Sequence, residues 1–283
     1  MISRERFSRR SMRIATALAT VGVAALLVVS CDLKLPSFAA AGSVDTAPEP
    51  PSGVPAPQGD IPGWRQIFRD DFTNPTLGGQ WSRYSGTPGG DPYSQWSPQQ
   101  VHVEDGMLTL ESTKLGGRTV TGGVSNWPRA QKYGKWDVRF RADASDDVTF
   151  HFLLWPQNEQ WPPEIDFAES FGGPRQHLDA FVHWVDAQGI QRKNQQSVSG
   201  DFTQWNTVGV EWVPGEIRYT LNGAVWGVER GDRVPDIPMW LGLQAQAGGC
   251  EKAVENGLPG CPVAGSPAST KIEIDWVSVY APA

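Results

Sequence analysis

Apolar residues in the middle of the chain recur at every second position. Trp136, Val138 and Phe140 alternate with Lys135, Asp137, Arg139 and Arg141; Val148, Phe150, Phe152 and Leu154 form a second set, and Val208, Val210 and Trp212 a third. A period of two marks a strand with one face buried. No sustained helical stripe and no internal repeat interrupts it. Asp105-Gly106, between Val103 and Met107, and Asn222-Gly223, between Tyr219 and Val225, are pairs that tolerate the left-handed backbone of tight hairpins. The pattern predicts an all-β fold, an antiparallel β-sandwich that starts near Trp64 and closes near Tyr280.

The start of the chain follows another logic. Arg4, Arg6, Arg9, Arg10 and Arg13 precede an uncharged, mainly apolar run from Ile14 to Val29, short for a membrane span and suited to an export signal over residues 1–30. Val28-Val29-Ser30-Cys31 has the form of a bacterial lipobox, so Cys31 is a candidate for lipidation, and Ser8-Arg9-Arg10 resembles a twin-arginine signal. Both export routes stay open. Residues 31–62 are rich in Pro, Ala, Gly and Ser without apolar periodicity, which reads as a flexible linker; a single domain would then occupy 63–283. The expected location is extracellular or cell-surface, with membrane contact only through the lipid anchor. Cys250 and Cys261 are the remaining thiols, and an oxidising compartment would let them pair.

Composition narrows the partners. Of 283 residues, 39% are hydrophobic and 19% charged, a globular balance. The formal net charge is −7; setting aside the excess of four positive charges in the signal leaves −11 for the rest. So acidic a body repels phosphate backbones, which excludes nucleic acid as the expected partner and leaves neutral glycans. With 13 Trp, flat faces for sugar rings are available, although most Trp would fill the core.

The segment that carries chemistry is Trp161-Pro162-Pro163-Glu164-Ile165-Asp166-Phe167-Ala168-Glu169-Ser170. On a regular strand Glu164 and Asp166 share one face while Ile165 and Phe167 point into the core. Glu169 falls on the wrong face by simple alternation, and one extra residue at Phe167-Ala168, a β-bulge, would return it to the acidic side. Glu273-Ile274-Asp275-Trp276 repeats the first half of the pattern with Ser278 where the second Glu would stand. That copy lacks the acid pair and reads as the closing strand.

Together with Phe68-Arg69-Asp70-Asp71-Phe72, Val103-Glu104-Asp105-Gly106-Met107-Leu108, Tyr133-Gly134-Lys135-Trp136-Asp137-Val138-Arg139, Trp205-Asn206-Thr207-Val208-Gly209-Val210-Glu211-Trp212 and Ile274-Asp275-Trp276-Val277-Ser278-Val279-Tyr280, the acidic segment resembles glycoside hydrolase family 16, the laminarinases, agarases and carrageenases, over nearly all of residues 64–281. The resemblance implies a concanavalin A-like jelly roll. It implies Glu164 as nucleophile, Glu169 as general acid/base and Asp166 as their helper. It places His183 beside the acids. Trp155, Trp161, Trp184 and Trp127 are candidates to present flat faces to sugar rings, Trp161 and Trp155 first because they flank the acidic strand. The resemblance also suggests a structural calcium held by Asp275 and the carbonyl of Gly106, with no cofactor required for turnover.

The expected function is a monomeric, exported, retaining endo-glycosidase on a β-linked polysaccharide, with β-1,3-glucan first. Transglycosylation, or a lectin-like lipoprotein that binds glycan without turnover, is the alternative. Pro163 directly before Glu164, and Gln244 and Gln246 in place of an Asn-rich pattern, depart from the family and bear on substrate identity.

Overall fold

The computed structural model describes residues 49–283 apart from Gly90 and residues 259–262. The export signal, Cys31 and Cys261 lie outside the described residues. In chain order the strands are β1 (Trp64–Asp70), β2 (Ser82–Arg83), β3 (Ser94–Trp96), β4 (Val101–Glu104), β5 (Met107–Leu115), β6 (Arg118–Thr121), β7 (Gly123–Ser125), β8 (Gly134–Ala142), β9 (Val148–Pro156), β10 (Glu164–Ser170), β11 (His177–Val185) and β12 (Gln191–Ser199). β13 (Asn206–Val213), β14 (Glu216–Leu221), β15 (Ala224–Arg230), β16 (Met239–Ala247) and β17 (Ser269–Pro282) follow, with a short helix α1 (Gly249–Glu255) before the last strand.

They form two sheets. One runs β15-β14-β13-β8-β17-β5-β6-β3, with β1 on β17 and β4 on β5; the other runs β12-β11-β10-β9-β16-β7-β2. Pairing is antiparallel except between β3 and β6. The expected sandwich is therefore observed. The two predicted hairpin turns are present, with Asp105 and Gly106 at φ 52° and 71° and Asn222 and Gly223 at 50° and 82°, the left-handed pairs a two-residue turn requires.

The period of two explains the core. Phe150, Phe152 and Leu154 of β9, Val182 of β11 and Leu241, Leu243 and Ala245 of β16 face inward and meet Trp136, Val138 and Phe140 of β8 from the other sheet in one buried cluster. Phe140 meets Phe150 and Phe152 edge-on, ring centres 5.3 and 5.0 Å apart. Burying each such ring contributes about 1.5–3 kcal/mol. Whatever alternates with these residues in β9, β10, β11 and β16 must stand on the outer face of the seven-stranded sheet.

Two expectations change here. The linker does not extend to Pro62, because the described residues 49–62 lie against β17. Trp276, 4% exposed, donates its indole N–H to the carbonyl of Val54 at 3.0 Å, Gln66 donates to the carbonyl of Pro57 at 2.9 Å, and Ala56 is buried. Pro- and Ala-rich composition carried no sign of this docking, which runs through backbone carbonyls.

The calcium site does not fit either. The Asp275 carboxylate accepts the Ser52 N–H at 3.2 Å, Arg139 donates to the Ser52 hydroxyl at 3.1 Å, and the Pro51 ring lies 3.5 Å from where a Cβ on Gly106 would stand. Asp275, on which Asp71 is the other acid to act, has a guanidinium nearby and a backbone N–H already aimed at it, a poor cradle for a divalent cation. Deleting residues 50–62 from the full chain should expose Trp276 and Ala56 and cost about 2–3 kcal/mol, a fall in Tm of about 5 °C or more. An unchanged melting curve would show the segment to be a tail.

Candidate active site

The acidic strand behaves as its spacing requires. Against β9, Asp166 pairs with Leu153 and Ala168 with Phe152, so Phe167 is the extra residue; against β11 the register jumps between Asp166 and Glu169. Ile165, Phe167 and Ala168 all enter the core. Two consecutive inward residues shift the alternation by one step. Glu169 is thereby returned to the face of Glu164 and Asp166, and all three line one cavity of about 730 Å³ on the outer face.

The acids are buried, at 9%, 2% and 8% exposure for Glu164, Asp166 and Glu169. Among the described residues, no Lys or Arg forms an ion pair with any of them. Their contacts are instead Trp161, whose indole N–H donates to Glu164 Oε2 at 2.8 Å, His183, whose Nε2 lies 3.4 Å from Asp166 Oδ2, and His151, whose Nδ1 meets Glu169 Oε1. Burial in a low-dielectric site pushes all three carboxyls up, and the neighbouring acids push Glu164 and Asp166 further. Glu169 is pushed up to about 8, by burial first, with the charges of His183 and Lys252 opposing. Burial lowers His183, against the charges of Glu164 and Glu169.

The three cannot all be ionised together. The Trp161 indole N–H favours the charged form of Glu164 against the burial that raises it, while Glu169 is held protonated through neutral pH. Buried acids with raised pKa values, grouped in one cleft, mark a candidate site of acid–base chemistry.

The rest of the cavity comes from outward positions of neighbouring strands and from loops. Leu153 and Trp155 of β9, His183 of β11 and Trp240, Gln244 and Gln246 of β16 line it, with Tyr84, Trp96, Glu159 and Trp161 from elsewhere. Glu159 accepts the indole N–H groups of both Trp155 and Trp240, at 3.0 and 3.2 Å, and so ties two aromatic faces together. Tyr84 lies tilted against Trp96, ring centres 4.7 Å apart. A Cβ on Gly123 would stand 2.5 Å from the Tyr84 ring, and one on Gly242 3.0 Å from its hydroxyl, so both glycines make room for it.

Trp155, Trp161 and His183 thus stand where expected. Trp184 and Trp127 do not. Trp184 follows His183 on β11 and by alternation packs toward the core, under the guanidinium of Arg233 at 5.2 Å. Trp127 opens a short 3-10 turn, is 50% exposed and lies outside the cavity lining. His151, Tyr84, Trp96, Glu159 and Trp240 were missed; for His151 and Trp240 the alternation of β9 and β16 was a usable signal, and for the loop residues there was none.

The family model described as glycosyl hydrolases family 16 matches residues 90–278, which covers the acidic strand, the strands on both sides of it and most of the sandwich. The chain belongs to that family. A curated relative, "Endo-1,3-1,4-beta-glycanase ExsH" of Rhizobium meliloti (strain 1021), is 27% identical over 208 residues, 68% of this chain and 42% of the relative. "Beta-agarase AgaB34" of Agarivorans albus is 26% identical over 212 residues, 71% of this chain and 45% of the relative. This chain spans less than half the length of these two relatives.

Among solved structures, the endo-β-1,3-glucanase of Pyrococcus furiosus superposes with a TM-score of 0.64 at 21% identity, covering 81% of this chain and 99% of that one. At that identity the likeness shows the fold alone. Carbon-13 NMR of the Glu169 carboxyl, assigned against Glu169→Gln, should find it protonated at pH 7 and ionising near pH 8; a midpoint near its ordinary value of 4.5 would contradict the charge assignment above.

Proposed function

We propose that this domain is a retaining endo-β-glycanase in which Glu164 is the nucleophile, Glu169 the general acid/base and Asp166 the group that holds the two in their roles. The observation that carries the reading is the bulge at Phe167, which sets three buried, uncompensated carboxyls on one face of an aromatic-lined cleft. A protein that only bound glycan would gain nothing from burying three acids against each other. That weighs against the lectin-like alternative.

In the first displacement a Glu164 oxygen attacks the anomeric carbon from one side as the glycosidic C–O bond breaks, and the proton on Glu169 passes to the departing oxygen. A glycosyl ester on Glu164 and an ionised Glu169 result. Water then gives its proton to Glu169 while its oxygen displaces Glu164, restoring both groups. Asp166, between them and 3.4 Å from His183, accepts or shares a proton as charge moves along the strand. A sugar hydroxyl can replace that water, so transglycosylation accompanies hydrolysis.

β-1,3-Glucan is the preferred substrate. Support comes from relatives and structural neighbours named for mixed β-1,3-1,4 and β-1,3 linkages, and from a Trp-rich cleft wall of Trp155, Trp161 and Trp240 that suits unsubstituted glucose rings. The domain acts outside the cell as a monomer, carried there by the signal in residues 1–30 and held by lipid on Cys31. Cys250, at the start of α1, pairs with Cys261 in the oxidising compartment. Thiol labelling of the exported protein should then find neither cysteine; labelling at both refutes the pairing.

Glu164→Gln is isosteric and removes the attacking charge, so turnover of laminarin should fall by about 10³-fold or more with the fold intact. Residual activity above a few percent would sink the nucleophile role. Proton NMR of the first-formed reducing ends, read before mutarotation, should show the β-anomer, because two inversions at one carbon restore its configuration. An initial α-anomer would refute both glutamate assignments. Activity should also decline as pH rises through about 8, where Glu169 loses the proton it must donate.

A further inference from the structure

His151 stands beside Glu169 on the outward side of β9 and lines the same cavity. Its Nδ1 meets Glu169 Oε1, and its Nε2 lies 2.8 Å from the hydroxyl of Thr149, which in turn sits 3.4 Å from the backbone carbonyl of Gln246. Thr149 is fully buried and His151 is 7% exposed. Burial, reinforced by the charge of Lys252, holds the imidazole neutral well below its ordinary range. It therefore has one N–H to donate and one bare nitrogen to accept.

Only two arrangements satisfy this chain. If the Thr149 hydroxyl donates to the Gln246 carbonyl, Nε2 must donate to Thr149, Nδ1 is left bare, and Glu169 must turn its proton toward His151. If the hydroxyl donates to Nε2, Nδ1 carries the proton and donates it to Glu169 Oε1, in the carboxylic acid and the carboxylate alike. The Thr149 oxygen is nearer His151 than the carbonyl, 2.8 against 3.4 Å, and the second arrangement alone serves Glu169 in both of its protonation states.

We infer that His151, keyed by Thr149, is a positioning residue that occupies Oε1 of Glu169 with an N–H and so confines the transferable proton to Oε2. This rests on Glu169 as the acid/base. In the first displacement the acid's proton is then already on the oxygen left open to the substrate. Once Glu169 is ionised the same N–H stabilises its charge, and water returns the proton to Oε2. The other groups that act on Glu169 are Asp166 and Glu164 on its own strand, His183 and Asp179 on β11, Lys193 on β12 and Lys252 on α1, the last tied to Asp91 at 2.8 Å. Of these, Asp166 shares a hydrogen bond with Glu169, but as a second acid it raises the competition for a proton and cannot fix which oxygen bears it.

The test compares His151→Leu, which removes the donor, His151→Asn, which offers an amide N–H in its place, and Thr149→Val, which keeps the volume of Thr149 and removes the keying hydroxyl. Two substrates are used with the full chain: laminarin, whose departing alkoxide needs the proton, and a 2,4-dinitrophenyl β-glucoside oligomer, whose leaving group does not. His151→Leu and Thr149→Val should lower kcat/KM on laminarin about tenfold or more while the dinitrophenyl substrate loses less than about threefold.

The basic limb of the laminarin profile should move to higher pH by about half a unit, because an anion that loses a donor holds its proton longer. His151→Asn should bring the limb back. Equal losses on both substrates with an unmoved limb would overturn the inference and leave His151 as packing against Phe171. Should His151→Leu fail to fold, Thr149→Val carries the same comparison. Should wild-type protein leave laminarin intact, the substrate reading fails alone, and the carbon-13 titration of Glu169 in wild type and Thr149→Val decides this one: coincident curves refute it.

Discussion

Everything about the cleft depends on one inserted residue. Strand alternation gives a fold builder two faces and no freedom to move a single side chain between them. Phe167 breaks that constraint once, in register against β9 on one side and β11 on the other. Its ring and the methyl of Ala168 both enter the core, so the bulge is anchored by apolar burial on the inside. Removing it would turn Glu169 into the sandwich, where a carboxyl has neither water nor partner. The bulge and the chemistry are thus the same structural decision.

That decision has an electrostatic cost which the surrounding residues distribute unequally. Glu164 receives an indole N–H, Asp166 the His183 ring, and Glu169 the His151 ring. Among the described residues none receives a Lys or Arg, whose full charge would pull its partner's pKa down and leave it ionised throughout. Neutral donors tune; cations would lock. Lys252 is instead bound to Asp91 and Gln246 and acts on Glu169 only through its charge.

What could be read in the sequence was what local rules determine. The hairpins at Asp105-Gly106 and Asn222-Gly223 and the bulge at Phe167-Ala168 depend on neighbours within a few residues, and each is where the pattern put it. Convergence across the chain was not legible. Tyr84 reaches the cleft from the loop after β2 because Gly123 and Gly242 leave it space, and no periodicity links those positions. Residues 49–62 look like spacer because composition reports what a segment could bury with its side chains, and this one docks through the carbonyls of Val54 and Pro57. The placement of Trp184 was different in kind. Alternation from His183 points it inward, so closeness to the acids along the chain does not bring it into the cleft.

The chain contains its own comparison. Glu-Ile-Asp occurs at Glu164-Ile165-Asp166 in β10 and again at Glu273-Ile274-Asp275 in β17, and β17 too shifts register, between Ile274 and Trp276. The difference lies in what the acids meet. Glu273 is paired with Arg141 at 2.5 Å, and Asp275 accepts the Ser52 N–H beside the charge of Arg139. Each acid there has its own cation, and the strand closes a sandwich without holding a proton. In β10 the same three residues lack cations, gain a third acid through the bulge, and face a cavity instead of a docked segment. A tripeptide motif therefore predicts a strand. The sign and number of charges opposite it decide whether that strand does chemistry.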